Sequence, residues 1–345
     1  MGFQQGTGPL FTTLGLFIID ENIYPKSWGR ESEYNIIGGG ASYAIVGSRF
    51  VTGPKYSKDI YGIIDKGSDF PNEVEEEIRS WDTGTLFRED KSRLTTRGAN
   101  VYHEDGVREF VYRSTKKRIE AVDVIDTGLV HLNCFHFCCS VERCEESIDI
   151  FNKFNVDSGV KPMYVFEPFP EVCVAQNFGS LTGMLHKVTV FTPNLNEAAG
   201  FAGLQKLPQT IDEIRQLAIV FLPHMQGGSV VLRCGELGSL ILNDSVEIFL
   251  PAFHQDQSKV VDVTGAGNTF CGAYITALRL SDDDIYAGIL ATLASGCAIE
   301  HLGVPKLENE KWNGLTVKER FNHYVEENGH LFQDLDLKKW ENLLS

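Results

Sequence analysis

Val260-Val261-Asp262-Val263-Thr264-Gly265-Ala266-Gly267-Asn268-Thr269-Phe270 joins a β-branched run to a helical pattern through a turn of Asp, Thr and two glycines. Phe270, Tyr274 and Leu278 follow at four-residue spacing, so the stretch reads as a strand, a tight loop and a helix N-terminus. Gly265 and Gly267 let the backbone turn sharply and approach a ligand closely. The unpaired N–H groups of Ala266, Gly267 and Asn268 then converge at the positive end of a helix dipole, a setting that suits a phosphate group.

Around this loop the chain reads as repeated βα units. Phe11 to Ile19 is expected as one buried first strand closing on Asp20, and Asn35 to Gly40 leads into a helix rich in small residues. Strands are expected at 129–132, 163–166, 188–191, 229–232 and 239–243, and helices at 73–81, 147–154 and 211–221. That alternation predicts an α/β doubly wound, mostly parallel sheet with helices on both faces. Residues 93–112 differ, alternating polar with apolar around an Asp105-Gly106 turn, which predicts an antiparallel hairpin. With a segment at 22–33 it is expected to form a small β lid on a core spanning 1–310, and its unpaired edges could serve a homodimer. Residues 311–345 read as a helical tail.

Composition narrows the partners. The 345 residues carry a formal net charge of −16, which works against a nucleic-acid backbone or an anionic membrane and favours a small-molecule substrate. The chain holds no apolar run of about 20 residues and no basic n-region, so neither a membrane span nor a secretory leader is expected. Met1-Gly2 approaches a myristoylation signal, but position 6 is Gly6. The eight cysteines read as reduced thiols, consistent with a cytoplasmic or nuclear setting. The cluster His131, Cys134, His136, Cys138, Cys139 and Cys144 invites a zinc reading, yet it lacks a Cys-x-x-Cys pair, and adjacent Cys138 and Cys139 would face opposite sides of a strand. Gly62 to Gly67 has P-loop spacing, but Ser68 stands where Lys is needed.

The 262–268 loop resembles the Asp-Thr-x-Gly-Ala-Gly-Asp signature of the PfkB/ribokinase family of small-molecule kinases, with Asn268 in place of the final Asp. Further matches follow in order. Thr192-Pro193-Asn194-Leu195-Asn196-Glu197 resembles the family's Thr-Pro-Asn-x-x-Glu element, which implies Asn194 near nucleotide phosphates and Glu197 near the water shell of Mg²⁺. The same residues also read as a helix cap. Arg233-Cys234-Gly235-Glu236-Leu237-Gly238 resembles the turn beside ATP, with Arg233 replacing a Thr. Asp20, Gly38 and Gly39 match substrate-binding positions, while Tyr43 replaces an Asn that binds hydroxyls. Asp262 and Thr264 fall where the resemblance allows a monovalent cation such as K⁺. The wording of the Gly38–Ala44 and Arg233–Gly238 motifs is similar to the fungal maintenance-of-killer branch of the family.

The resemblance implies a kinase moving the ATP γ-phosphate, with Mg²⁺, to a hydroxyl of a carbohydrate or nucleoside-like molecule. Gly265, Ala266 and Gly267 form the anion hole, and position 268 supplies the base. A carboxamide cannot hold the proton that a carboxylate accepts, and loss of a general base costs about 10²–10⁴ in rate. The alternative is a catalytically inactive relative that binds nucleotide or metabolite in a regulatory or interaction role; a scaffold without ligands is the third reading.

Overall fold

The computed structural model describes residues 8–129, 131–155, 161–333, 335, 337–341 and 343–344. Its centre is a seven-stranded sheet running, in spatial order, Phe11–Thr13, Cys134–Cys139, Met163–Pro168, Val190–Phe191, Ser229–Arg233, Gly238–Leu242 and Glu247–Pro251. The first five strands are mutually parallel and the last two antiparallel. The expected sheet is therefore present, with a hairpin at one edge.

Side-chain alternation along these strands builds two cores. Phe135, Phe137, Tyr164, Phe166, Phe191, Val230 and Leu232 face the helices Val141–Phe154, Leu195–Phe201 and Ile211–Phe221. Cys134, Val165, Val190 and Val231 face the helices Gly39–Thr52, Ala266–Ser281 and Asp284–Ala298. Extending the second series by one pleat brings His136 and Cys138, then Glu167 and Arg233, to that same face at the carboxyl ends of the parallel strands. The register pairs Cys138 with Glu167 directly.

Four expected elements are corrected. Phe11 to Ile19 is not one strand: Phe11–Thr13 joins the main sheet, Gly15 turns the chain against the start of the first helix, and Ile18–Ile23 belongs to a second sheet. The β-branched run 260–263 is not a strand, because Val261 N–H donates to the Ile299 carbonyl (2.8 Å) at a helix end and both Val261 and Val263 are solvent-exposed. Strand 129–132 is replaced by Cys134–Cys139, and Val130 lies outside the described residues. The helix expected at 147–154 begins earlier, at Val141, capped by Ser140.

The second sheet, ordered Glu33–Gly38, Ile18–Ile23, Arg97–Tyr102 and Arg108–Tyr112, is the lid. It is wider than the two segments expected; 24–32 only connect its strands and include a short 3-10 turn, Lys26–Trp28. Arg108 reaches from the lid to Thr264 Oγ1 (3.3 Å), so the lid lies against the glycine loop.

The C-terminal residues pack onto the core rather than trailing from it: Trp312, Phe321, Tyr324, Phe332 and Trp340 are buried. One carboxylate fastens them. Glu300 receives both Arg320 nitrogens (2.6 and 2.8 Å), Asn313 Nδ2 (2.9 Å) and the His254 ring (2.9 Å). Burial works to raise its pKa, but these donors outweigh burial and bring it to about 2. A carboxylate with a depressed pKa contributes stability that is complete above its unfolded value, near 4.5, and is lost as pH falls toward 2. We therefore expect Glu300→Gln, which leaves Arg320 buried without its counter-charge, to cost about 3–5 kcal/mol in urea denaturation at pH 7. The gap between wild type and variant should narrow between pH 4.5 and 2.

Candidate functional site

Gly265 takes φ 78° and caps the helix Ala266–Ser281, so the chain enters that helix through a left-handed turn that disfavours a side chain. Among the described residues, the backbone N–H groups of Gly267 and Asn268 have no acceptor. Of the groups expected in an anion hole, Ala266 N–H instead donates to the Val263 carbonyl (3.3 Å). Tyr43, expected to contact substrate, does not line the cavity under the lid: it is buried, with its ring so close to Gly265 that a Cβ there would come within 2.3 Å. It supports the loop from beneath.

Two cavities lie near the carboxyl ends of the strands, one lined by this loop and one under the lid. One of about 270 Å³ is lined by Asn194, Arg233, Gly267, Phe253, His254 and Thr292, among others, and also takes in Gly235, Gly238 and Ala266. The second, about 120 Å³, lies under the lid between Gly40, Cys138, Tyr112 and Phe169. Asp20 stands on the lid side, its carboxylate over Gly38, where a Cβ would meet Oδ2 at 1.9 Å. Gly39, at φ 81°, starts the first helix.

A buried polar chain links the linings of the two cavities. Arg233 Nη1 pairs with Glu167 Oε1 (2.9 Å), and Asn268 Nδ2 donates to Glu167 Oε2 (2.6 Å). The same Asn268 amide lies 3.7 Å from Cys138 Sγ and backs onto Gly40, where a Cβ would come within 3.2 Å. His136 Nε2 reaches Glu167 Oε2 (3.1 Å), and its Nδ1 lies 2.9 Å from Thr13 Oγ1. Burial works to raise the pKa of Glu167, but Arg233, His136 and Asn268 bring it down to about 2, so it is ionised. The Arg233 guanidinium sits against Gly267, where a Cβ would come within 1.9 Å of Nη1. A protein cation therefore faces the helix N-terminus at the place prepared for an anion.

Glu197 and Asn194 fold as the capping alternative predicts. Asn194 Oδ1 accepts from Glu197 N–H (2.9 Å), and Glu197 Oε2 accepts from Asn194 N–H (2.7 Å). Glu197 also receives Arg233 Nη2 (3.3 Å), and burial raises its pKa against the pull of Arg233. Asp262 Oδ1 accepts from Thr264 N–H (3.0 Å), and Thr264 Oγ1 accepts from Arg108, which brings a positive charge to the position expected for K⁺.

Sequence reasoning did not single out Glu167 or assign His136 to a site outside the zinc reading. The signal for Glu167 was a lone carboxylate ending the apolar strand Tyr164-Val165-Phe166. His136 Nε2, a Glu167 oxygen and Cys271 Sγ lie within 4.8 Å of one another. They form a hydrogen-bonded network rather than a cation site: Glu167 is already neutralised by Arg233, and burial, then the Glu167 charge, holds Cys271 as a thiol.

This fold and loop define a class, the PfkB family, to which the chain belongs; the model described as pfkB family carbohydrate kinase matches residues 163–310. The chain is 34% identical to Protein MAK32 of Saccharomyces cerevisiae, covering 96% of each. An uncharacterized protein of Schizosaccharomyces pombe is 33% identical over 92% of each chain. Among solved structures, a putative ribokinase II of E. coli in complex with ATP and Mg²⁺ superposes with TM-score 0.67 at 15% identity, covering 92% of this chain and 99% of that one.

The Asn268–Glu167 contact yields a prediction opposite in sign to simple repair of the base. Asn268→Asp sets a second carboxylate 2.6 Å from an ionised one, in place of a donor. We expect a loss of about 1–3 kcal/mol in denaturant unfolding. Adding Glu167→Gln relieves that repulsion but removes the closest counter-charge of Arg233, so the double variant should be no more stable than Asn268→Asp in the same unfolding measurement.

Proposed function

We propose that this protein binds an adenine nucleotide in the 270 Å³ cavity and a small molecule under the lid, and that its phosphotransfer is disabled by the polar wall between them. The observation that carries this reading is the Arg233–Glu167–Asn268 chain, which runs from the lining of one cavity to that of the other. Nucleotide binding is supported by the free N–H groups of Gly267 and Asn268 and by Arg233, which together offer a phosphate tail three charge-complementary groups. The ATP and Mg²⁺ bound by the E. coli neighbour support the same choice of ligand. Glu197, which the resemblance sets near the water shell of Mg²⁺, has both oxygens taken by Asn194 and Arg233 and lies outside the cavity lining, so no step is routed through that ion. Chemistry is the weak link, because the carboxylate that Asn268 touches, Glu167, is committed to Arg233 and His136.

A second reading, an active small-molecule kinase with a displaced base, is favoured by one observation. Asp20 is buried, its Oδ1 has no hydrogen-bond partner, and burial followed by the nearby Asp262 raises its pKa to about 7. That value suits a general base.

Calorimetry with Mg²⁺ present should show ADP binding at least about tenfold tighter than adenosine, since phosphate recognition is assigned to Arg233 and the helix N-terminus. Equal affinities, or no binding at millimolar concentration, would reject the nucleotide site. In ADP-release assays across a panel of hydroxyl acceptors, the Asn268→Asp/Glu167→Gln protein should exceed wild type by about 10²–10⁴. Robust wild-type turnover that rises with a pKa near 7 and vanishes in Asp20→Asn would instead establish the second reading.

A further inference from the structure

The lid-side cavity carries a charge pattern unlike the rest of the chain. Its lining includes Lys116, Arg118 and Arg143 and no carboxylate. Arg143 is partly neutralised by Glu120 (3.1 Å) and also donates to the Ile119 carbonyl. Lys116 lies over the Tyr112 ring at 4.7 Å, and among the described residues neither Lys116 nor Arg118 has an ion-pair partner. Both are exposed, on the segment that runs from the lid strand Arg108–Tyr112 back to the core. In a protein of net charge −16, unpaired cations gathered on one cavity demand an explanation. Their remaining neighbours are apolar or aromatic: Leu14, Leu16, Ile18, Tyr112 and Phe169. Asp20 and Glu171 are the acidic groups felt at Tyr112, and neither lines the cavity.

From this lining we infer that the molecule taken under the lid is a small anion, a phosphate monoester or carboxylate, held at its charged end by Lys116 and Arg118 and not recognised through hydroxyls alone. The inference names the ligand class for the lid-side cavity and so rests on the reading of that cavity as the acceptor site. A neutral sugar would leave both cations unpaired, whereas an anion gains charge-assisted hydrogen bonds from each. The aromatic wall of Tyr112 and Phe169 then covers the uncharged part of the ligand. The site does not depend on Arg233, which belongs to the other cavity.

The test is calorimetry on the full chain with ribose 5-phosphate, gluconate and ribose, and with ADP titrated separately and in competition. We expect at least one of the two anions to bind about tenfold or more tighter than ribose, to weaken as salt rises, and to lose about tenfold in affinity in Lys116→Ala/Arg118→Ala. Which anion binds identifies the charged group. Because both side chains are exposed, the variant should fold as wild type does, which its circular dichroism checks. Three results would overturn the inference: ribose binding as tightly as both anions, anion affinity unchanged in the double variant, or anions displaced by ADP, which would place them at Arg233. Failure of ADP to bind while ribose 5-phosphate still depends on Lys116 and Arg118 would sink the proposed nucleotide site and leave this one standing.

Discussion

The ion pair between Glu167 and Arg233 is the constraint on which the arrangement of the site depends. A guanidinium placed against Gly267 faces the positive end of a 16-residue helix, an unfavourable setting for a cation. Glu167 makes it tolerable by standing 2.9 Å from the guanidinium, and Glu197 adds a second negative group at 3.3 Å. Charges this deeply buried need every lone pair and proton satisfied, since a buried pair broken on one side costs several kcal/mol. Thr192, His136, Asn268 and the capping box at Asn194 together supply that satisfaction.

Seen in this way, Asn268 is one member of a set rather than an isolated loss. Its amide is the donor that completes Glu167, and a carboxylate in its place would have no proton to offer at neutral pH. The site exchanges a mobile negative charge at position 268 for a fixed, paired one at position 167. Phosphoryl transfer depends on positioning and on charge stabilisation along one line between donor and acceptor. Between the two cavities of this chain, the side chains of Arg233, Glu167 and Asn268 hold one another.

Much of this was legible in the chain. Two glycines and a helical repeat were enough to place the 265–268 turn, because its left-handed entry and free N–H groups follow from local backbone chemistry. The parallel sheet followed from alternating apolar runs, and the hairpin from Asp105-Gly106. Two features resisted for identifiable reasons. Residues 260–263 carry strand propensity, but tertiary hydrogen bonding to Ile299 overrides it, as β propensity mostly reflects a packed surface that this segment lacks. The wall required knowing that residues 136, 138, 167 and 233 share one face at one end of the sheet. Alternation within each strand gives the face, but the spatial order of strands is a long-range property. Arg233 stood out as a departure from the family pattern; its partner Glu167 did not, since a single carboxylate after an apolar strand has many ordinary explanations.

The electrostatics of the two cavities differ in a way that net charge hides. A protein at −16 repels anions at long range, but that field is screened beyond about 8 Å at physiological ionic strength, so the groups lining a cavity decide what enters it. In the cavity beside Gly267 the local cation is Arg233, and two carboxylates already claim it; a phosphate entering there would compete with Glu167 and Glu197 for the same guanidinium. On the lid side, among the described residues, no carboxylate makes such a claim on Lys116 or Arg118. The first cavity is therefore set to bind an anion only by loosening the wall, whereas the second can bind one without disturbing it. Glu167 joins the two linings, meeting Arg233 on one side and, through Asn268, the Gly40 and Cys138 wall of the other.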